Sequence, residues 1–132
     1  LGNAIYLSDS EEEITRKVMG ALTDPARIRK DDKGNPDICM VAYYHKLFTK
    51  DEDYKTVCSE CKAGERGCVA CKKQLIKNII DELEPIRAKR AYYEAHPEII
   101  DKVLIEGTKK AQQTAKEVMK KVKKAMKLNY FE

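Results

Sequence analysis

Two Cys-x-x-Cys pairs, Cys58/Cys61 and Cys68/Cys71, stand six residues apart, with Gly64 and Gly67 in the link between them. A fold that uses these pairs has to bring four sulfurs to one place. Four thiolates around one centre is the coordination of structural zinc or of an iron–sulfur cluster. The zinc-ribbon template has a longer gap between its pairs, so the spacing does not select that module. A fifth thiol, Cys39, lies upstream and competes for a place. Disulfides are disfavoured by the odd cysteine count and by a Lys/Glu-rich chain with no secretory leader pattern. A thioredoxin-type dithiol needs a strand before its Cys-x-x-Cys, and no strand pattern precedes either pair. Metal is the favoured occupant, with free or redox-active thiols as the alternative.

A chain of 132 residues suits one domain with a moderate core. Hydrophobic residues at 42% and charged residues at 36% belong to a soluble globular composition, not a disordered one. No run approaches the roughly 18 apolar residues of a membrane span. A cytoplasmic protein with no membrane partner is expected. Charge is unevenly placed: residues 1–60 carry 9 Lys/Arg against 12 Asp/Glu, and residues 61–132 carry 17 against 10. A basic second half suggests a polyanion such as nucleic acid, although a solvated lysine face is the plainer account of any single helix. The first residue is Leu1, so a fragment of a longer protein is expected, with catalytic residues lying elsewhere.

The periodicity predicts an all-α chain. Ser8-Asp9-Ser10 offers N-caps, followed by Glu11–Glu13 and by Ile14, Val18 and Leu22, for a helix ending near Ala21. Asp31 to Pro36 is a turn, with Asn35 capping and Pro36 opening a helix whose stripe is Ile38, Val41, Ala42, His45 and Phe48. Cys39 falls inside that helix, one position off the stripe. A further helix capped by Thr49 enters the cysteine stretch, and the helical period resumes near Val69 through Leu75, Ile76, Ile79, Ile80 and Leu83. Pro85 predicts a kink or two abutting helices, with the apolar pattern continuing through Ala88, Ala91 and Tyr92. Pro97 opens a long C-terminal helix with Ile100, Leu104, Gly107, Ala111, Ala115, Val118, Val122 and Met126 on one face and eight lysines elsewhere. The expected architecture is a helical bundle with a long C-terminal helix.

Sequence signatures of independent catalysis are missing: the chain has no Walker A loop, Gly-x-Gly-x-x-Gly, His-Glu-x-x-His or Gly-x-Ser-x-Gly. His45 reads as a packing histidine on a core-facing stripe, and His96, before Pro97, as a surface or capping residue.

Several separated segments, in order, resemble tryptophanyl-tRNA synthetases, class I aminoacyl-tRNA synthetases. Leu1 to Leu7 resembles the segment after the Lys-Met-Ser-Lys-Ser loop, and Thr23-Asp24-Pro25-Ala26-Arg27-Ile28-Arg29 and Gly34-Asn35-Pro36 are similar to later family stretches. Leu83-Glu84-Pro85-Ile86-Arg87 and Ile105 to Ala111 match the closing region. The resemblance implies that residues 1–96 form the helical anticodon-binding domain, residues 1–7 being a remnant next to the missing loop. It implies that 97–132 is a helix that packs on the absent catalytic domain. The parent would be a homodimeric ligase of protein biosynthesis joining tryptophan to its tRNA with ATP, and this part alone would be inactive.

Some bacterial relatives carry a 4Fe–4S cluster on one upstream cysteine followed by Cys-x6-Cys-x2-Cys. The resemblance maps that set onto Cys39, Cys61, Cys68 and Cys71. The gap from Cys39 is about one residue short, and Cys58 is an extra thiol and the alternative ligand. Cys39 is favoured because a cluster joining two helices stabilises more than a self-contained loop. Zinc is the alternative metal, and oxygen can leave the site empty with Cys58 as a disulfide partner. Contacts to the anticodon of tryptophan tRNA are expected from Arg66, Lys72, Lys73 and Lys77, and from Arg27 and Arg29. The competing functions are a metal-stabilised interaction domain and a redox sensor.

Overall fold

Ser10 sets the first helix by a capping box: its hydroxyl accepts from the Glu13 amide while the Glu13 carboxylate accepts from the Ser10 amide. The helix, α1, spans Glu11–Gly20 and ends at Ala21 as expected, with Ile14 and Val18 buried. The computed structural model describes residues 4–128. The resemblance drawn on Leu1 to Leu7 therefore lies partly outside the described residues, at Leu1, Gly2 and Asn3.

Asn35 and Pro36 act as anticipated, but over a shorter element. Asn35 accepts from the Asp37 amide at 3.0 Å and opens a 3-10 turn, Pro36–Ile38. The chain then turns at Cys39 (φ −92, ψ 117) before α2, Met40–Phe48. Cys39 is thus the hinge between two short elements and not a residue within one helix. Ile38 leaves the expected stripe and is exposed, whereas Val41, Ala42 and His45 are buried.

Lys50, not Thr49, precedes α3, Asp51–Ala63, which takes in Cys58 and Cys61. Thr49 fails as a cap because its hydroxyl is engaged by His45 and Asn78. The α3 helix ends in a Schellman arrangement, with the Glu65 amide on the Glu60 carbonyl (2.9 Å) and the Gly64 amide on that of Cys61 (3.2 Å). Cys68 and Cys71 occupy the first turn of α4, Cys68–Ala95. Pro85 lies inside this continuous helix, so the alternative of two abutting helices falls away. Its buried residues stop at Leu83, and the pattern expected at Ala88, Ala91 and Tyr92 is exposed. The last helix, α5, spans Pro97–Ala125 with Pro97 in its first turn, as predicted.

The chain is all-α over the described residues, and no helix among them is long and apolar enough to cross a membrane. It divides into two compact units, Leu1–Ala88 and Lys89–Glu132. The core of the first unit is Ile14 and Val18 from α1, Val41 from α2, and Leu75, Ile76, Ile79 and Leu83 from α4. Cys39 and Cys71 pack against this cluster. In the second unit, α5 carries no buried residue.

Asp9 fastens the segment before α1: its carboxylate accepts from the Tyr6 amide at 2.8 Å and from the Lys17 ammonium. Those bonds, with that to Lys17 the strongest, hold the Asp9 carboxyl below its ordinary 3.8. The folded pKa being depressed, the stabilisation is present above the unfolded value and fades as pH falls through the folded one. Thermal denaturation between about pH 5 and about pH 2 should show an acid loss of stability that is smaller in Asp9→Asn.

Candidate functional site

All five cysteines line one cavity in the first unit, between the turn at Cys39, the second half of α3 and the start of α4. The cysteine positions follow from the helices: residues three apart in α3 and in α4 share a helix face. The cavity is tight, about 20 Å³, enough for about one water molecule.

Arg27 joins three segments around these thiols. Its Nε donates to the Asp32 carbonyl at 2.7 Å, and its Nη2 to the carbonyls of Lys30 (2.7 Å) and Arg66 (2.6 Å). Its Nη1 faces the sulfurs of Cys61 at 3.8 Å and Cys68 at 3.7 Å. The guanidinium has five N–H groups in a fixed fork, and these contacts engage every nitrogen of it. Gly34 lies so close that a Cβ there would sit 2.7 Å from the Cys61 sulfur, and its amide donates to the Cys61 carbonyl at 2.9 Å. Buried Asp24 closes the same loop by accepting from the amides of Ala26 (2.9 Å) and Asn35 (2.7 Å).

His45 is fully buried (0% exposed) behind Cys71. Its Nε2 stands 3.1 Å from the Cys71 carbonyl and 3.4 Å from the Cys71 sulfur. A carbonyl only accepts, so Nε2 carries the proton and Nδ1 accepts from the Thr49 hydroxyl at 2.8 Å. Burial lowers the His45 pKa and keeps the ring neutral. With Nε2 protonated towards the backbone, His45 packs behind Cys71 and supports it.

Burial also raises the thiols. The Cys71 pKa is pushed up to about 12, against the opposing Arg66 charge, and that of Cys61 is raised by burial against Arg27. Such thiols stay protonated at neutral pH unless a cation replaces the proton. Five sulfurs with no carboxylate among the lining residues form a soft donor set, suited to zinc or an iron–sulfur cluster and unsuited to magnesium or calcium. Among the described residues, no three histidine, cysteine or carboxylate side chains are grouped closely enough to hold an ion as they stand. The donor chemistry fits a thiophilic metal.

The residues expected to touch RNA are placed unequally. Arg27 points inward. Arg66 donates to Glu60 and to Gln74, each at 2.6 Å. Lys72 donates to the Met19 carbonyl at 2.8 Å, and Lys77 is paired with Asp81 on the surface of α4. Arg29 and Lys73 are exposed, and their side chains have no hydrogen bond or ion pair among the described residues. Sequence reasoning missed Gly34, Gly64, Asp24 and Thr49 as parts of the site. The glycines and Asp24 stood in turn and breaker segments, a signal for shape that says nothing of sulfur; Thr49 carried no usable signal.

Residues 1–84 match the family of class I tRNA synthetases (W and Y). The chain is 47% identical over 128 residues to the tryptophan–tRNA ligase of Aquifex aeolicus, covering 96% of this chain and 32% of that protein. It is 41% identical over 130 residues to the same ligase of Thermotoga maritima, covering 98% and 40%. The fold is similar to that of a crystal structure of tryptophanyl-tRNA synthetase from Campylobacter jejuni complexed with ADP and tryptophan. The TM-score is 0.83 at 22% identity, over 94% of this chain and 38% of that one. The chain thus spans about a third to two fifths of the length of these relatives.

Proposed function

The chain belongs to the class I tRNA synthetases (W and Y), and from that premise we propose that it is the anticodon-binding part of a tryptophan–tRNA ligase. ATP and tryptophan would be bound, and a homodimer formed, by portions of the parent outside this chain. The observation that carries the proposal is 47% identity to such a ligase across 96% of the chain. The basic excess of residues 61–132 supports an RNA partner, because phosphate contacts supply most of the affinity of such modules.

We propose in addition that Cys39, Cys61, Cys68 and Cys71 hold a 4Fe–4S cluster, with Cys58 as the alternative ligand and zinc as the alternative metal. When bound, the cluster supplies a covalent brace between the turn at Cys39, α3 and α4. Arg27 would direct its Nη1 N–H groups at two of the thiolate sulfurs, and His45 would hold Cys71 in place through its backbone.

Both proposals have direct tests. The 132-residue chain should bind a tryptophan tRNA transcript with an affinity that falls as salt rises, by a log–log slope of about −0.7 per phosphate contacted on a single strand. Binding that ignores salt, or no binding, rejects the RNA proposal. Protein purified without oxygen should be brown and contain iron and sulfide, and Cys61→Ser should lose most of both. A colourless zinc protein would instead assign the double Cys-x-x-Cys site.

A further inference from the structure

The segment from Ile28 to Lys33 is an exposed loop whose backbone is tied down at many points. The amides of Ile28 and Arg29 both donate to the Asp32 carboxylate, at 3.0 and 2.6 Å. Arg27 holds the carbonyls of Lys30 and Asp32, and Gly34 is bonded to the Cys61 carbonyl. Lys30 packs its methylenes over Gly67, 3.6 Å from where a Cβ would be. These bonds rigidify the loop against the end of α3.

The side chains this loop displays are unusual for a surface turn. Ile28 is 89% exposed, the highest value among the large apolar side chains of the described residues. Arg29, Lys30, Lys33 and Lys62, which follows Cys61 on α3, are exposed, and no hydrogen bond or ion pair engages their side chains among the described residues. The neighbouring charges of Arg27, Asp32, Glu60 and Arg66 are satisfied internally. That leaves Asp31 and Glu65 as the opposing anions beside four free cations. A rigid mount with free cations around a bare apolar side chain suits a polyanion that also offers flat apolar faces. Single-stranded RNA is such a polymer, with phosphates to hold and unstacked bases to cover.

We propose that the Ile28–Lys33 loop with Lys62 is the surface that grips a single-stranded RNA loop, Ile28 lying against a base and the four cations on phosphates. This rests on the anticodon-binding reading above and assigns it to residues other than Lys72, Lys77 and Arg66. The lysines of α5 are the competing surface, but their positions opposite its apolar face are those of an ordinary solvated face.

The test compares the full chain with three variants in binding to an unmodified anticodon stem-loop transcript of tryptophan tRNA across a salt series. Arg29→Gln/Lys30→Gln/Lys33→Gln should weaken binding by about tenfold to a hundredfold and reduce the salt slope by about two. Ile28→Ala should weaken it by about three- to tenfold with the slope unchanged. Lys120→Gln/Lys121→Gln/Lys123→Gln/Lys124→Gln should change it by less than about threefold. All substituted residues are exposed, and unchanged thermal midpoints would certify folding. Parental binding that survives the loop substitutions, or is lost only with the α5 lysines, overturns this assignment and leaves the anticodon reading standing. No binding by the parent chain overturns both.

Discussion

Gly64→Val is expected to lower the unfolding free energy of the first unit by about 2–5 kcal/mol, read as a shift of the urea midpoint. Gly64 has φ 82 and ψ 7, the left-handed conformation that ends α3, and a Cβ placed there would lie 2.4 Å from the Asp31 carbonyl oxygen. Two costs add. A β-branched residue resists that backbone region, at about 1–3 kcal/mol. The collision is with backbone of the clamped loop, which no rotamer can relieve, so the loop must lift off α3. Gly67→Ala is the matched control, because its Cβ would meet only the Lys30 side chain at 3.6 Å. If both variants melt alike, the contact between Gly64 and the Asp31 carbonyl is not a constraint on the fold.

That pair of glycines shows what could be read in advance. Both were visible as loosening residues in the link between the cysteine pairs, yet their difference lies in which backbone comes opposite, and that is a tertiary fact. The helices were legible wherever periodicity and caps agreed, as at Ser10 to Val18 and at Pro97. Boundaries slipped where a side chain found a distant partner: Thr49 looks like a cap by position but bonds His45 and Asn78 instead. Pro36 looks like the start of a long helix, but its 3-10 turn gives way at Cys39. Within the site, the gathering of Cys58, Cys61, Cys68 and Cys71 could be anticipated from spacing, and that of Cys39 from the family resemblance. The inward aim of Arg27 could not, since an arginine in a polar turn looks the same whether it faces phosphate or sulfur.

Ile79→Ala should cost about 2–5 kcal/mol, the second large effect. Ile79 is 0% exposed on α4 and belongs to the cluster formed with α1 and α2. Truncation removes buried methyl groups and leaves a void whose neighbours, held in three helices, can close on it only in part. Because Cys39 and Cys71 pack on the same cluster, the loss should also loosen the thiol cavity. Labelling of the cysteines by an alkylating reagent is then expected to quicken in Ile79→Ala and not in Val69→Ala, whose side chain is exposed on the same helix. Equal labelling in the two would separate the core from the site.

Because one guanidinium binds carbonyls of both the Lys30–Asp32 turn and Arg66 while facing two sulfurs, movement of that turn is a cooperative matter. The thiols are each partly exposed, but the turn beside Cys61 and Cys68 is held by all of these bonds at once. Displacing the turn requires several bonds to break together, so opening on that side is expected to follow a local unfolding equilibrium. One arginine thereby couples the environment of two sulfurs to the integrity of an entire turn.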